Sequence, residues 1–172
     1  IAVMLTFFRE KKVKTKISDC FTALIWQSLC SCIFDISSVE LIKYISPANL
    51  WLNYIVLIAY YIFFNAMPLM FYLCFWFMYE KNRKMPLKQY WIMFGLYLFF
   101  SLFTITSPFT HLVFWFDSNL NLQHGPFFYA YYLLDILYVG GGLLHFFRHH
   151  KQFTSTQIFS LMFFTTACFV AA

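Results

Sequence analysis

Eleven of the twelve Lys and Arg residues fall in three short clusters separated by long, charge-poor stretches. The first cluster is Arg9, Lys11, Lys12, Lys14 and Lys16. The second is Lys81, Arg83, Lys84 and Lys88, and the third is Arg148 with Lys151, beside His149 and His150. Lys43 alone lies elsewhere. Between the clusters the chain is rich in Phe, Tyr, Leu and Ile. Hydrophobic residues make up 62% of the whole and charged residues only 11%, against roughly 25% charged in ordinary soluble domains. A chain of 172 residues folded in water leaves about a third of its surface wet, and this one has too little polar surface to cover it. That excludes a soluble enzyme, a nucleic-acid-binding module and a disordered chain. The fold class that remains is all-α, a polytopic transmembrane helix bundle.

Cytoplasmic loops of such proteins collect Lys and Arg, so the basic loops 9–16, 80–88 and 148–151 are expected in the cytoplasm. The net charge of +5 then reflects topology and contact with anionic lipid, and no nucleic-acid partner is expected. Loops on one side are separated by an even number of crossings. Residues 17–80 break at the turn-rich segment Tyr44–Asn49, which contains Pro47, giving spans over about 17–42 and 50–79. Residues 89–147 break at Ser107-Pro108 and at Gly125-Pro126. This predicts spans over about 90–106 and 127–147, with an extracellular loop at 107–125. The apolar runs Ile1–Phe8 and Ile158–Ala172 predict two further, truncated spans, the last starting near Phe153. Six spans are therefore expected, the first and last cut, in a single membrane domain covering 1–172.

The span over 50–79 is about 45 Å long at 1.5 Å per residue, more than the ~30 Å hydrocarbon core. Tilt or a bend must absorb the excess. Pro68 supplies a bend, since it lacks an N–H and crowds the Phe64 carbonyl one turn earlier. Asn65 is placed to help satisfy that freed region. Asn65 and Pro68 are thus the candidate hinge, against the alternative of a static kink.

The five cysteines fall in predicted helices without zinc spacing or a disulfide framework, and read as small buried hydrophobes. His145, His149 and His150 resemble one histidine box of the membrane di-iron oxidases and desaturases. His111 and His124 fall on the other side of the membrane and cannot complete such a site. No metal site and no cofactor are expected, and no Walker, Rossmann, GxSxG or HExxH pattern occurs.

Asp135 is the one acid well inside a span, about 12 Å beyond Phe127 along the helix. A carboxyl at that depth is costly unless protonated or paired, and marks a functional or packing-critical position. Tyr131, Tyr132 and Tyr138 are expected as hydrogen-bond donors to it. Gly140-Gly141-Gly142 follows in the same span and predicts close helix packing. Glu40 and Lys43 are spaced i,i+3 for a weak ion pair.

The extracellular loop is the most distinctive stretch. Its first half, from Phe109 to Phe116, is aromatic and is expected to fold back on the bundle or lie in the bilayer interface. Asp117, Ser118, Asn119 and Asn121 predict a polar hairpin-like tip. Gly125-Pro126 places Pro at a helix start. The run Pro108-Phe109-Thr110-His111-Leu112-Val113-Phe114, then Phe116-Asp117, His124-Gly125-Pro126 and Tyr131-Tyr132, resembles the seven-transmembrane N-terminal sensory region of bacterial histidine kinases and diguanylate cyclases. Ser107 stands where that family commonly has Asn, and Phe34-Asp35-Ile36 also looks like variants in Gram-positive cyclases. The resemblance implies an outside N-terminus, seven spans in the complete domain, and a cytoplasmic output domain, a GGDEF diguanylate cyclase or a histidine kinase.

The expected function is a signal-input domain in the inner (plasma) membrane. It would sense a small-molecule or membrane cue and act as a homodimer through the complete protein, with no turnover of its own. The candidate sensing residues are His111, Trp115, Asp117 and His124 in the loop, with Asp135 below them. The alternatives are a small transporter or channel, against which the spans offer few polar groups, and the di-iron enzyme.

Overall fold

The computed structural model describes residues 16–79 and 85–149. Four helices account for most of them: α1 (Lys16–Lys43), α2 (Leu50–Tyr79), α3 (Leu87–Thr110) and α4 (Phe128–His149). A small antiparallel hairpin, β1 (Phe114–Phe116) and β2 (Leu122–His124), joins α3 to α4. All four helices are long and apolar enough to cross a membrane. They coincide with the four complete spans expected from the charge pattern. The two truncated spans of the six-span expectation lie outside the described residues.

α2 is the central helix, packed against α1 on one side and against α3 and α4 on the other. Its own sequence explains this position, because apolar side chains surround it and it carries no charged residue; a helix hydrophobic all round is buried or spans a membrane. α3 instead turns Trp91, Ile92, Leu98, Leu102 and Ile105 outward. Such a face is disfavoured in water and suits lipid.

Lipid gives apolar helices little reason to prefer each other over acyl chains, so polar contacts and close packing hold the bundle. The Gln27 side chain of α1 donates to the Phe63 carbonyl of α2 at 2.9 Å, with Phe34 stacked on Phe63. Tyr97 of α3 donates to the Ile62 carbonyl. Tyr138 of α4 donates to the Met93 carbonyl of α3 at 2.6 Å. Gln89 of α3 donates to the Tyr72 hydroxyl of α2. Of the three consecutive glycines, Gly142 lets α4 lie against Phe75, whose ring would be 2.9 Å from an added Cβ, and Gly141 lies over Tyr72. Gly140 faces open space.

The turn between α1 and α2 is organised by Asn49. Its side-chain oxygen accepts from the Ser46 N–H at 2.7 Å and its amide donates to the Tyr44 carbonyl at 2.8 Å. Ile42, Ile45 and Leu50 then pack beside Tyr54, Val113 and Phe114. The α1–α2 turn and the α3–α4 hairpin therefore sit at the same end of the bundle, as the parity of crossings requires. Lys43 reaches Glu40 at 2.7 Å, the i,i+3 pair expected from their spacing.

Three local expectations change. α3 does not stop at Ser107-Pro108 but runs to Thr110, where His111 adopts the left-handed conformation and its N–H closes on the Ser107 carbonyl at 2.9 Å. Proline in a last turn removes only one ladder bond, which the helix tolerates. Pro126 is not the first helical residue, because a turn at 126–127 precedes α4 at Phe128. The cysteines are not uniformly buried: Cys74 is, Cys20 and Cys30 are partly covered, and Cys32 is exposed on α1.

Candidate functional site at the hairpin end

The hairpin presents an edge problem. β1 has only β2 as a ladder partner, and its other edge carries backbone groups that need partners away from water. The Gly125 N–H bonds the Val113 carbonyl at 2.7 Å and the Asp117 N–H bonds the Asn121 carbonyl at 3.0 Å. Alternation along an antiparallel pair then turns Phe114 and Phe116 away from β2. Side chains from two helices meet them. The Ser107 hydroxyl of α3 donates to the Phe114 carbonyl at 2.6 Å and accepts from the Phe114 N–H at 2.8 Å and the Val113 N–H at 3.2 Å. The Tyr54 hydroxyl of α2 accepts from the Phe116 N–H at 3.1 Å.

The same alternation sends the Phe114 and Phe116 rings into the bundle. Phe114 stacks on Tyr54 and Tyr61, and Phe116 meets Tyr54 edge-on at 5.1 Å. Tyr61 in turn contacts Tyr131 of α4. The Tyr131 hydroxyl donates to the Phe100 carbonyl of α3 at 2.9 Å and pairs with Thr104, which is fully buried. On the α4 side, the Phe127 N–H bonds the Leu112 carbonyl. Gly125 passes so close to the Leu112 and His111 carbonyls that a Cβ there would overlap them. The hairpin is thus fastened to α2, α3 and the start of α4 together.

Four of the five candidate sensing residues lie on this cap. The His111 ring stacks on Trp115 with centroids 5.4 Å apart, and the His124 ring stacks on Phe128 at 3.9 Å. Both histidines are exposed. The Asp117 carboxylate is turned onto its own loop: it accepts from the Asn121 N–H at 2.9 Å, the Asn119 N–H at 2.8 Å, the Gln123 amide at 3.2 Å and the Asn121 amide at 3.4 Å. These donors, the Asn121 N–H foremost, hold its carboxyl below the usual carboxylate range. The turn also holds Leu120 at φ 62°, a conformation costly to a side chain with a Cβ.

Asp135 is separate from the cap, about two turns along α4 from Phe128. Tyr131 and Tyr138 do not serve it, because their hydroxyls go to backbone carbonyls of α3, and Tyr132 is exposed. Asp135 Oδ1 is buried without a hydrogen-bond partner. Asn65 is buried in α2, which continues without interruption through Pro68, and its Oδ1 is also unpartnered. Among the described residues no three His, Cys, Asp or Glu side chains come together as a metal site. His145 lies against Trp76, and His150 is outside the described residues.

Ser107, Tyr54, Thr104, Tyr131 and Gly125 were not singled out as site residues from the sequence. Serine, threonine and tyrosine in an apolar span are the available signal, since a hydroxyl there has to find an acceptor. No family model matches the chain, and no curated protein or solved structure matches it.

Proposed function

We propose that this chain is a membrane-embedded signal-input module, with the hairpin facing the outside and an output domain in the cytoplasm. The supporting observation is the fastening of one short hairpin to three helices at once, through Ser107, Tyr54 and Gly125. A cue that binds one arrangement of this cap better than another shifts the helix arrangement with it. The exposed rings of His111, stacked on the half-buried Trp115, and of His124 are available to a small molecule or to lipid headgroups. Asp117 serves the cap by fixing its tip. The resemblance of residues 107–132 to the sensory regions described above makes a diguanylate cyclase the first expectation for the output, with a histidine kinase second. It also puts the module in the plasma membrane as part of a homodimer.

The test is output activity of the complete protein, as cyclic dinucleotide or phosphotransfer, set against membrane abundance. His111→Ala and Asp135→Asn should change output or its dependence on conditions at wild-type abundance. Output unchanged in both, across conditions that modulate the wild type, removes the support for sensing.

A further inference from the structure

At the end opposite the hairpin, the seam between α1 and α2 holds two thiols. The helices run antiparallel from the turn that Asn49 organises, so earlier residues of α1 meet later residues of α2. Two contacts set the register: Gln27 donates to the Phe63 carbonyl, and Phe34 stacks on Phe63. Cys74 lies eleven residues past Phe63, while Cys20 lies seven before Gln27 and fourteen before Phe34, so the register brings the two cysteines to one level. Their side chains meet there: the Cys20 and Cys74 thiols share a hydrogen bond. Cys20 also packs on the buried cluster that holds Leu69, Tyr72 and Leu73 of α2. Both cysteines are free thiols, and they differ in access. Cys74 is 1% exposed, whereas Cys20 is only partly covered and follows the exposed Asp19 in the second turn of α1. Cys30 and Cys32 are ten or more residues further along α1, roughly 15 Å or more from Cys20. An accessible thiol beside a second one is the arrangement in which the first is oxidised and the second resolves it.

We propose that Cys20 and Cys74 form a reversible oxidation site for a small peroxide, closed by a disulfide between α1 and α2. The Cys20 thiolate attacks one oxygen of hydrogen peroxide and the O–O bond breaks. The sulfur becomes a sulfenic acid, and the departing hydroxide takes up the proton lost by the thiol to give water. The Cys74 sulfur then attacks the Cys20 sulfur. An S–S bond forms, the S–O bond breaks, and the hydroxyl leaves with the Cys74 proton as a second water. Two thiols lose two electrons and two protons, and one peroxide is reduced to two waters. A dithiol reductant reverses the step by exchange. Sulfurs already in hydrogen-bond contact have only to close to the ~2.05 Å of a disulfide, so the bundle keeps its packing. The site rests on the contact between the two thiols; that its oxidation reaches an output domain rests on the input-module reading.

The experiment treats the full chain in lipid nanodiscs with hydrogen peroxide, blocks the remaining thiols by alkylation, and maps the cysteines by peptide mass spectrometry. The peptide containing Cys20 should become linked to the peptide containing Cys74, with the loss of two hydrogens, and dithiothreitol should separate them. Circular dichroism of the linked chain should match that of the reduced one. In Cys74→Ser, Cys20 should stop at the sulfenic acid and be trapped by dimedone; in Cys20→Ser, Cys74 should stay reduced. The link in the wild type decides the matter even if either variant does not fold. Absence of the link at peroxide concentrations that oxidise Cys32 overturns the proposal, as does a link that forms only with loss of helical signal. A reversible link combined with output that ignores peroxide keeps the site and counts against the input-module reading alone.

Discussion

Ser107→Ala removes one oxygen from a position with no solvent exposure. That oxygen is the partner of the Phe114 N–H and of the Phe114 carbonyl. Neither group has a substitute in β2, because Phe114 faces away from it. Each orphaned buried backbone group costs about 1–3 kcal/mol, so the fastened state of the hairpin should lose roughly 2–6 kcal/mol where nothing relaxes. The lower figure corresponds to an approximately 30-fold change in an opening equilibrium. Amide hydrogen exchange of the peptide covering residues 111–118, measured in nanodiscs, reads that equilibrium directly. Exchange there should accelerate at least ~30-fold in Ser107→Ala, with the middle of α2 little changed. Thr106→Ala is the control. Its hydroxyl bonds only carbonyls of its own helix, Leu102 and Phe103, so a change within about 0.5 kcal/mol is expected. Wild-type exchange at 111–118 in Ser107→Ala would show that Ser107 does not fasten the hairpin.

Gly125→Ala should undock the hairpin from the start of α4, because the added Cβ overlaps the Leu112 and His111 carbonyls; a lower thermal midpoint with faster exchange at 111–128 checks this. Gly142→Ala sets a Cβ 2.9 Å from the Phe75 ring, which Phe71 and Phe146 flank, and should destabilise by about 1–3 kcal/mol. Gly140→Ala meets nothing and should be neutral or stabilising by roughly 0.5–1 kcal/mol, so in matched unfolding curves only Gly142→Ala should lower the midpoint. The Asp117 carboxyl is held below its ordinary range in the folded tip, first by the Asn121 N–H. Its contribution to tip order is therefore present above the unfolded carboxyl's pKa, near 3.9, and is lost as pH falls through the lower folded value. Asp117→Asn should show the loosened tip at neutral pH, read as faster exchange at 117–121.

Much of the architecture was legible because a bilayer allows few choices. Charge clusters and turn residues marked both ends of α1, α2 and α4 to within a few residues, and the pairing of the two loops at one end follows from counting crossings. The end of α3 was not legible, since Pro108 reads as a stop whereas its single missing N–H falls in a last turn that loses little by it. The site was legible only as a region. Trp115 and His111 stand out by type, but their stacking depends on the left-handed turn at His111. Asp117 reads as a candidate contact group until the turn is built, and then its oxygens are taken by Asn119, Asn121 and Gln123. The tyrosines near Asp135 were assigned to it by proximity along the helix, but rotation about the helix axis gives Tyr131 and Tyr138 to α3. The fastening role of Ser107 was unreadable for a related reason, since its partners are backbone groups that any sequence supplies.

The claim on which the account turns is that the hairpin faces outside and governs what happens inside. An impermeant maleimide applied to intact cells carrying the complete protein with Asn119→Cys, the native cysteines replaced, examines both halves in one measurement, with Lys88→Cys on the exposed first turn of α3 at the opposite end as the comparison. The account predicts that position 119 is labelled and position 88 is not, and that labelling at 119 changes cytoplasmic output. Labelling at 88 instead of 119, or full labelling at 119 with output unchanged, would contradict it.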